Sequence, residues 1–566
     1  MQAEGFETIA DNCDILIHLY RYLDFIDQLR LSRVSEYLRN IFEHLVWKDR
    51  YQKMEITENS CGVFVVTGSV GTSPLIFYEY EEFEEFLNAY AENIVELSVY
   101  DLKSINVEYI IREFPKLTKL RYEGWMEIPV NHYSCLANRC PNLQELQLCH
   151  CIMPNVKSLT RLQKLRRLCI DTNTQFTYQQ FRQFGARLGL ESLKITGYII
   201  PETLKRRKRT RGLPLKELKI STDLDPQAWF PKIFPYFLRN FENLQSLIIH
   251  FADESANNAA FNALGQSCGN LQYLRIIETD FYLSPAFTLP PNLKELAVHC
   301  GRNLAYENLK EFLAHSKLLK FTSIESRYKG EWVDLVVSAN IKSLQVQYVP
   351  TANLNVDHVE ELTWYEYPSN PLQPQPTRLG SKLEILKIDS GVLSLQTLLE
   401  LKFLHTLTIP ETMTCLDWSY VRALLCHTPL RHLTISGLPY CSPLCERFGH
   451  APSEGLPIQL VSLKISFGLL QGALTFWLDL FRQNECLQLI CNNFKTFDEF
   501  LEKLLANENF PMNLRNLEIW GITLKCRDLK QNLEASLEKI KRNMDYLRYD
   551  DFDSYSMIFD RNLNQS

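Results

Sequence analysis

The chain has 566 residues, 46% hydrophobic and 22% charged, with 60 Lys and Arg against 67 Asp and Glu and a formal charge of −7. This composition excludes a disordered or collagen-like chain and supplies apolar residues for several ordinary domains or one long repetitive core. Its longest apolar runs, such as Val63-Phe64-Val65-Val66, fall far short of the roughly 18 residues of a membrane helix, and the acidic start MQAEGFETIADNCD does not read as an export signal. The expected location is inside the cell, cytoplasmic and/or nuclear.

Two helices are predicted first. Residues 11–23 place Ile15, Leu16, Leu19 and Leu23 at helical spacing, and Asp27 is the expected N-cap of a second helix, Gln28 through Phe42, with Leu29, Leu31, Val34, Leu38 and Ile41 along it. Trp47 closes the segment. So few residues bury little surface alone, which predicts a partner for them. The stretch 68–73 (GSVGTS) lacks the G-K-[S/T] ending of a phosphate-binding loop and reads as a hairpin turn. The acidic run Glu79 to Glu85 is expected to open a helix, its carboxylates lying at the positive dipole end.

From Ile94 onward the pattern apolar-x-x-apolar-x-apolar recurs, with starts at Ile94, Leu117, Leu143, Leu165, Leu190, Leu215, Leu244, Leu271, Leu293, Ile341, Val359, Leu383, Leu404, Leu430, Leu460 and Leu514. Weaker copies begin at Leu318 and Cys486, giving about eighteen units spaced about 25 residues apart. The last two apolar residues of each copy share one side of a strand, because side chains alternate with period two. Between the strands, segments such as 83–94, 176–189, 258–270 and 306–317 repeat their apolar residues three and four apart, as on helices. Proline-rich stretches at 367–376 and 439–452 read as loops.

The repeat resembles the leucine-rich repeat, L-x-x-L-x-L-x-x-N/C-x-L, over residues 93–522. Cys151 and Asn173 fill the N/C position, whereas Trp125, Tyr198, Asp223 and Gly391 occupy it elsewhere. That pattern argues against a regular asparagine ladder and is similar to the intracellular cysteine-containing and ribonuclease-inhibitor-like branch. The resemblance implies an α/β solenoid: a curved array with its parallel sheet on the concave face and helices on the convex face.

The N-terminal layout is similar to the F-box, whose pattern runs L-P-x-E-I-L-x-x-I-F-x-Y-L-D, D-L, V-C-x-x-W and a final W. Asp14-Ile15-Leu16 stands for E-I-L, Leu19 for the next Ile, Tyr22-Leu23-Asp24 for Y-L-D, Asp27 and Leu29 for D-L, Val34 for the valine and Trp47 for the last tryptophan. Asp11-Asn12 replaces L-P, Ser35 follows the valine and Leu38 replaces the inner tryptophan. An F-box ahead of leucine-rich repeats implies the substrate receptor of a Skp–cullin–F-box ubiquitin ligase. Asp14, Ile15, Leu16, Leu19, Leu23, Leu29, Val34 and Leu38 would then hold the Skp adaptor, and through it a cullin scaffold, while the repeats hold a protein target. The plainer alternative is a repeat scaffold whose N-terminal helices only cap the array.

The expected domains are a helical module at 1–50, a linker and cap at 51–92, the repeats at 93–530, and a cap helix followed by a flexible acidic tail at 531–566. Strand alternation puts Ile248, Tyr273, Arg275, Ile277 and His299 on the open face as the candidate target surface, with scattered exposed apolar residues as the plainer account. The basic run Lys205, Arg206, Arg207, Lys208, Arg209 and Arg211 reads equally as a nuclear-import or acidic-partner patch and as a solvated loop. The net negative charge speaks against a nucleic-acid partner.

No catalytic signature of the H-E-x-x-H or G-x-S-x-G kind occurs, and neither cofactor nor metal is expected. The 16 cysteines read as reduced and mostly buried. Their densest group, Cys135, Cys140, Cys149 and Cys151 with His150, lacks paired C-x2-C spacing and reads as packing thiols rather than a zinc site.

Overall fold

The structure is a computed structural model describing residues 13–47 (without 24), 52–59, 61–68, 75–102, 107–152 (without 126 and 130), 157–177, 189–200, 214–222, 242–251, 264–277, 289–299, 304–324, 328–329, 335–347, 354–365, 379–388, 395–410, 418–436, 460–466, 486–490, 516–522, 546–551 and 556–560, leaving out 103–106 between them. The chain divides into two compact units, residues 1–279 with 288–293 and residues 280–287 with 294–566.

The first unit begins with helices α1 (Cys13–Tyr22), α2 (Phe25–Ser32) and α3 (Glu36–Ile41), the last running into a wider π-type turn over Phe42–Val46. The single helix expected from Gln28 to Phe42 is therefore two. The break falls at Ser35, whose extended backbone (φ −152°) and side-chain oxygen, accepting from the Leu38 N–H at 3.2 Å, start a new helix. Asp27 is not a cap but sits within the first turn of α2, paired with Arg30 at 3.0 Å.

Tyr20, Phe42 and Trp47 are fully buried and join the module to α4 (Tyr80–Tyr90). The Trp47 ring stacks on Tyr90 at 4.4 Å and meets Phe42 and Phe86 edge-on, each at 5.9 Å. Such ring pairs each add about 0.5–1.5 kcal/mol beyond their buried area. Inside the module the Tyr20 hydroxyl donates to the Leu38 carbonyl at 3.0 Å, and the Gln28 amide donates to the carbonyls of Tyr20 at 2.7 Å and Leu23 at 2.9 Å. The acidic run opens α4 with Glu81 and Glu82 in its first turn.

The stretch assigned to a linker and cap contains three strands, β1 (Lys53–Glu58), β2 (Phe64–Thr67) and β3 (Leu75–Phe77). β2 pairs antiparallel with both β1 and β3, so the strands flanking the glycine stretch form a hairpin. β1 then pairs parallel with β4 (Glu96–Tyr100). From there the strands follow in sequence order and in parallel: β5 (Lys119–Glu123), β6 (Glu145–Cys149), β7 (Arg167–Thr177), β8 (Ser192–Ile200), β9 (Glu217–Thr222), β10 (Ser246–Phe251) and β11 (Tyr273–Ile277).

Register is carried by the repeat. Leu97, Leu120, Leu146, Leu168, Leu193, Leu218, Leu247 and Leu274 lie opposite one another across these strands, all buried. Burial of each such side chain stabilises the fold by roughly 1.5–3 kcal/mol. Helices pack on this leucine side, as α5 (His132–Arg139) shows where its His132 bonds to Tyr122 of β5 at 2.9 Å. β7 is longer than expected: after a register shift beyond Asp171, Gln175 to Thr177 pair again with β8, so Phe176 and Thr177 lie in a strand where a helix was anticipated. Renewed pairing gives their backbone groups partners that a new helix start would leave open. Residues 178–188 of that segment lie outside the described residues.

An asparagine series does exist, at a different position from that of the leucine-rich repeat motif. Asn142, Asn270, Asn292 and Asn340, each just before the first apolar residue of its copy, donate to the carbonyls of Pro115, Glu242, Gly269 and Ser316 at 2.6, 3.1, 2.8 and 3.3 Å. At the other end of the strands, Asp101, Gly124 and His150 take left-handed φ of 48°, 120° and 60°. Each of the first two donates its N–H to the next repeat, Asp101 to the Glu123 carbonyl at 2.9 Å and Gly124 to the Cys149 carbonyl at 3.0 Å. A Cβ on Gly124 would collide with the Asp101 carboxylate and lie 2.9 Å from the Asp101 nitrogen. Gly124→Ala should therefore destabilise the first unit by about 1–3 kcal/mol, read as a lowered urea midpoint.

The second unit repeats the plan. It runs through β12 (Glu295–His299), β13 (Leu304–Ala305), α6 (Tyr306–His315), β14 (Lys320–Ile324), β15 (Tyr328–Lys329), β16 (Leu335–Val336), β17 (Ser343–Gln347), β18 (Leu354–Asn355) and β19 (Glu361–Tyr365). It continues through β20 (Ile385–Ile388), α7 (Leu395–Leu399), β21 (Thr406–Pro410), α8 (Trp418–His427), β22 (His432–Ser436), β23 (Ser462–Ser466), β24 (Cys486–Ile490) and β25 (Asn516–Ile522). β12, β14, β17 and β19 to β25 form parallel neighbours in order, and the short strands pair as β13–β15 and β16–β18. Again the helix lies on the buried side, with Phe312 of α6 5.5 Å from Phe321 of β14.

The C-terminal expectation needs correction. Residues placed in a flexible tail form β26 (Tyr546–Asp551), parallel to β25, and β27 (Ser556–Asp560), antiparallel to β26. Leu547 falls opposite Leu517, in the register of another repeat, and the final antiparallel strand covers the backbone edge that a last parallel strand leaves open. The cap helix from Gln531 lies outside the described residues up to 545. An α/β leucine-rich-repeat fold, with a parallel sheet on one side and helices on the other, is thus what each unit shows.

Candidate functional site

Strand alternation in the first unit turns one residue set toward the leucine core and the other toward an open face. β4, β5, β6 and β11 each show the pattern, with half-buried first, third and fifth residues and buried second and fourth ones. Along the first position the charges alternate: Lys53 pairs with Glu96 at 3.0 Å, and Glu145 lies between Lys119 at 3.4 Å and Arg167 at 3.6 Å. Pairs this exposed add little stability; they fix which cations are committed and which are not.

The third position carries Arg121, Gln147, Cys169, Lys194, Lys219, Ile248 and Arg275 on β5 to β11, register partners in turn. Arg121 pairs with Glu123 and lies 5.6 Å from the centre of the Tyr100 ring. Lys194 reaches Asp171 at 3.4 Å. The Lys219 ammonium is held below its usual range by burial, then by the neighbouring Lys194 and with a smaller push from Arg275. The Arg275 Nε is buried without a hydrogen-bond partner among the described residues.

Of the predicted target surface, Ile248 and Arg275 face each other across β10 and β11, and Tyr273, Arg275 and Ile277 share the open face of β11, all half-buried. His299 belongs to β12 of the second unit. The basic run 205–211 lies outside the described residues.

The N-terminal module offers a different surface. Ile15 and Leu19 are each 44% exposed on α1, Tyr22 is 83% exposed, and Val34 beyond α2 is 72% exposed. Asp14 is exposed as well, while Leu23, Leu29 and Leu38 are half-buried. Leu16 departs from the expectation: it is buried in the module's own core, because it lies on the Tyr20 side of α1 four residues away. Tyr22, Tyr37 and Leu45 join the exposed apolar set. Tyr22 was legible as the third member of an Ile15, Leu19, Tyr22 stripe at helical spacing.

The cysteine group is split between two environments by the left-handed turn at His150 that follows β6. Cys149, at the end of β6, is half-buried on the open face, whereas Cys140 and Cys151 are buried on the other side. Burial pushes both buried thiols up to about 12. Among the described residues no group of three His, Cys, Asp or Glu is placed to hold a metal ion. Beside the buried thiols, His132 is wholly buried, and burial lowers its imidazole to about 4. Its Nδ1 and the Tyr133 hydroxyl have no hydrogen-bond partner among the described residues.

No protein-family model matches the chain, and no curated protein matches it in sequence. Among solved structures it is similar to CroV588, a circular leucine-rich repeat protein, at 13% identity and TM-score 0.37 over 79% of this chain and 65% of that one. The chain thus spans less than two thirds of the length of that protein. It is also similar to TLR13 in its complex with ssRNA13, at 15% identity and TM-score 0.38 over 81% of this chain and 78% of that one. A third similarity is to the internalin InlF from Listeria monocytogenes, at 14% identity and TM-score 0.27 over 82% of this chain and 89% of that one. The leucine-rich-repeat architecture rests on this chain's own register, one parallel strand for every repeat copy from Ile94 to Leu514.

Proposed function

We propose that the protein is a non-catalytic substrate receptor of a cullin-type ubiquitin ligase, its N-terminal module docking a Skp-type adaptor and its repeats binding the protein to be ubiquitinated. The observation that carries this reading is the two-sidedness of the module. One side, Phe42 and Trp47, is consumed against α4; the other leaves Ile15, Leu19 and Tyr22 exposed along α1. A helix pair serving only as a cap needs the first side and gains nothing from the second. The target surface of this reading is the open face around Ile248, Tyr273, Arg275 and Ile277, which offers an aromatic ring and a guanidinium of the kind that anchors protein interfaces. The receptor contributes proximity and orientation to a reaction performed by other subunits.

The Trp47 stack on α4 supports the second reading, a repeat scaffold with a capping module. Co-purification with a Skp-type adaptor separates the two. The intact chain is expected to retain adaptor, and Leu19→Asp to weaken it at least tenfold while changing stability by less than about 1 kcal/mol, as for other exposed substitutions. Failure of the intact, folded chain to retain adaptor leaves the scaffold reading in its place.

A further inference from the structure

The open face of the first unit carries a pair of thiols that the receptor reading does not use. Cys149 ends β6 and Cys169 lies on β7; Cys149 is the register partner of Asp171, and Cys169 that of Gln147, so the two cysteines are diagonal neighbours on adjacent strands. Each thiol lies close enough to shift the ionisation of the other. Both are half-buried on the open face. On one side β5 supplies Arg121 and Glu123; on the other β7 supplies Asp171 and β8 supplies Lys194, the register partner of Cys169.

We infer that Cys149 is a thiol-modification site, exchanging with low-molecular-weight disulfides that carry carboxylates, of the glutathione disulfide class, while Cys169 is its positioning residue. The Cys149 sulfur attacks one sulfur of the disulfide, the S–S bond breaks, and one glutathione leaves as thiolate and takes a proton from water. The product is a mixed disulfide on Cys149. No further oxidant enters: the incoming disulfide is reduced as the protein sulfur is oxidised. Arg121 and Lys194 flank the pair, and the carboxylates of an adduct would compete for them with their present partners, Glu123 and Asp171.

The electrostatics agree. The neighbouring Cys169 thiol brings Cys149 down to about 7, against the opposing effect of burial, with Arg121 lowering it further and Asp171 and Glu123 opposing. Cys149 in turn pushes Cys169 up, together with burial. Cys149 is therefore the thiol of the pair that ionises first, and Cys169 the one that keeps its proton. With parallel strands about 4.8 Å apart and a rise of about 3.3 Å per residue, diagonal neighbours lie about 8 Å apart between Cα atoms, beyond the separation of up to about 6.8 Å that a disulfide usually spans. Exchange should accordingly stop at the mixed disulfide. This inference stands independently of any adaptor or target.

The test uses the reduced full-length chain, glutathione disulfide as probe and peptide mass mapping to locate the adduct, over a pH series. The exposed Cys61 is the internal comparator. Cys149 is expected to react ahead of Cys61 at neutral pH. Cys169→Ala should slow Cys149 about fivefold at pH near 7, because the roughly fiftyfold loss of thiolate is partly offset by the greater nucleophilicity of a more basic sulfur. It should also move the midpoint of the Cys149 pH–rate profile upward and leave Cys61 unchanged, and Cys169→Ser should restore part of the rate. The wild-type competition and profile need no variant, so they decide the matter even where a substitution impairs folding. Equal or faster labelling of Cys61, an unchanged profile in a folded Cys169→Ala, or an internal Cys149–Cys169 disulfide as the product would overturn the inference.

Discussion

Replacing Trp47 with alanine is expected to cost about 3–5 kcal/mol of stability, the range for deleting a large buried aromatic side chain. Its ring is fully buried and joins two elements far apart in sequence, touching Phe42 in its own module and Phe86 and Tyr90 on α4. The loss therefore combines a cavity with the release of the helical module from α4. Urea unfolding followed by far-UV circular dichroism measures it without depending on tryptophan emission. Limited proteolysis should show earlier cleavage within residues 13–47. A midpoint shift equivalent to less than about 1 kcal/mol, the size of a surface change, would mean that the module is held by contacts other than this ring.

Acidification should destabilise the first unit through His132. The imidazole is neutral and wholly buried, and burial lowers its folded-state value from 6.5 to about 4. Below pH 6.5 the unfolded chain binds a proton at this residue that the folded chain refuses, so stability falls with pH from about 6.5 and the contribution is lost by about 4. A shift of this size corresponds to about 3 kcal/mol. Above pH 6.5 neither state is protonated there and the contribution is level. Urea midpoints across pH 4–7 give the measurement. His132→Phe should lower stability at neutral pH, since it leaves the Tyr122 hydroxyl without its 2.9 Å partner, but should flatten the profile across this window. An equally steep profile in that variant would assign the acid sensitivity to other groups.

The repeats were readable because their signal is redundant. Each copy spells the same alternation, and in parallel stacking each copy's leucines find those of its neighbours, so one motif specifies the strand, its buried face and its register together. The same logic found the open-face residues Ile248, Tyr273, Arg275 and Ile277. Where only one copy carried the signal the reading failed. The period of the helical segment 28–42 continued across Ser35, but the hydroxyl of that residue satisfied a backbone N–H and began a new helix. β26 was hidden by the acidic residues around it, although Tyr546-Leu547-Arg548-Tyr549 already showed a strand's alternation.

Chemistry depended still more on three dimensions. In the sequence Cys149 and Cys151 look equivalent; the turn at His150, with φ of 60°, separates an open-face thiol from a buried one. Cys149 and Cys169 look unrelated, and only the β6–β7 register makes them neighbours. Nor does any local pattern announce that Trp47 stacks on Tyr90 or that His132 is buried. By itself the sequence determined the repeating strands and the residues facing their core, because each follows from short-range periodicity. Tertiary structure decided which thiols meet, which histidine loses its water and which aromatic rings hold the module, because those depend on contacts between different elements of the fold that no periodicity within one element encodes.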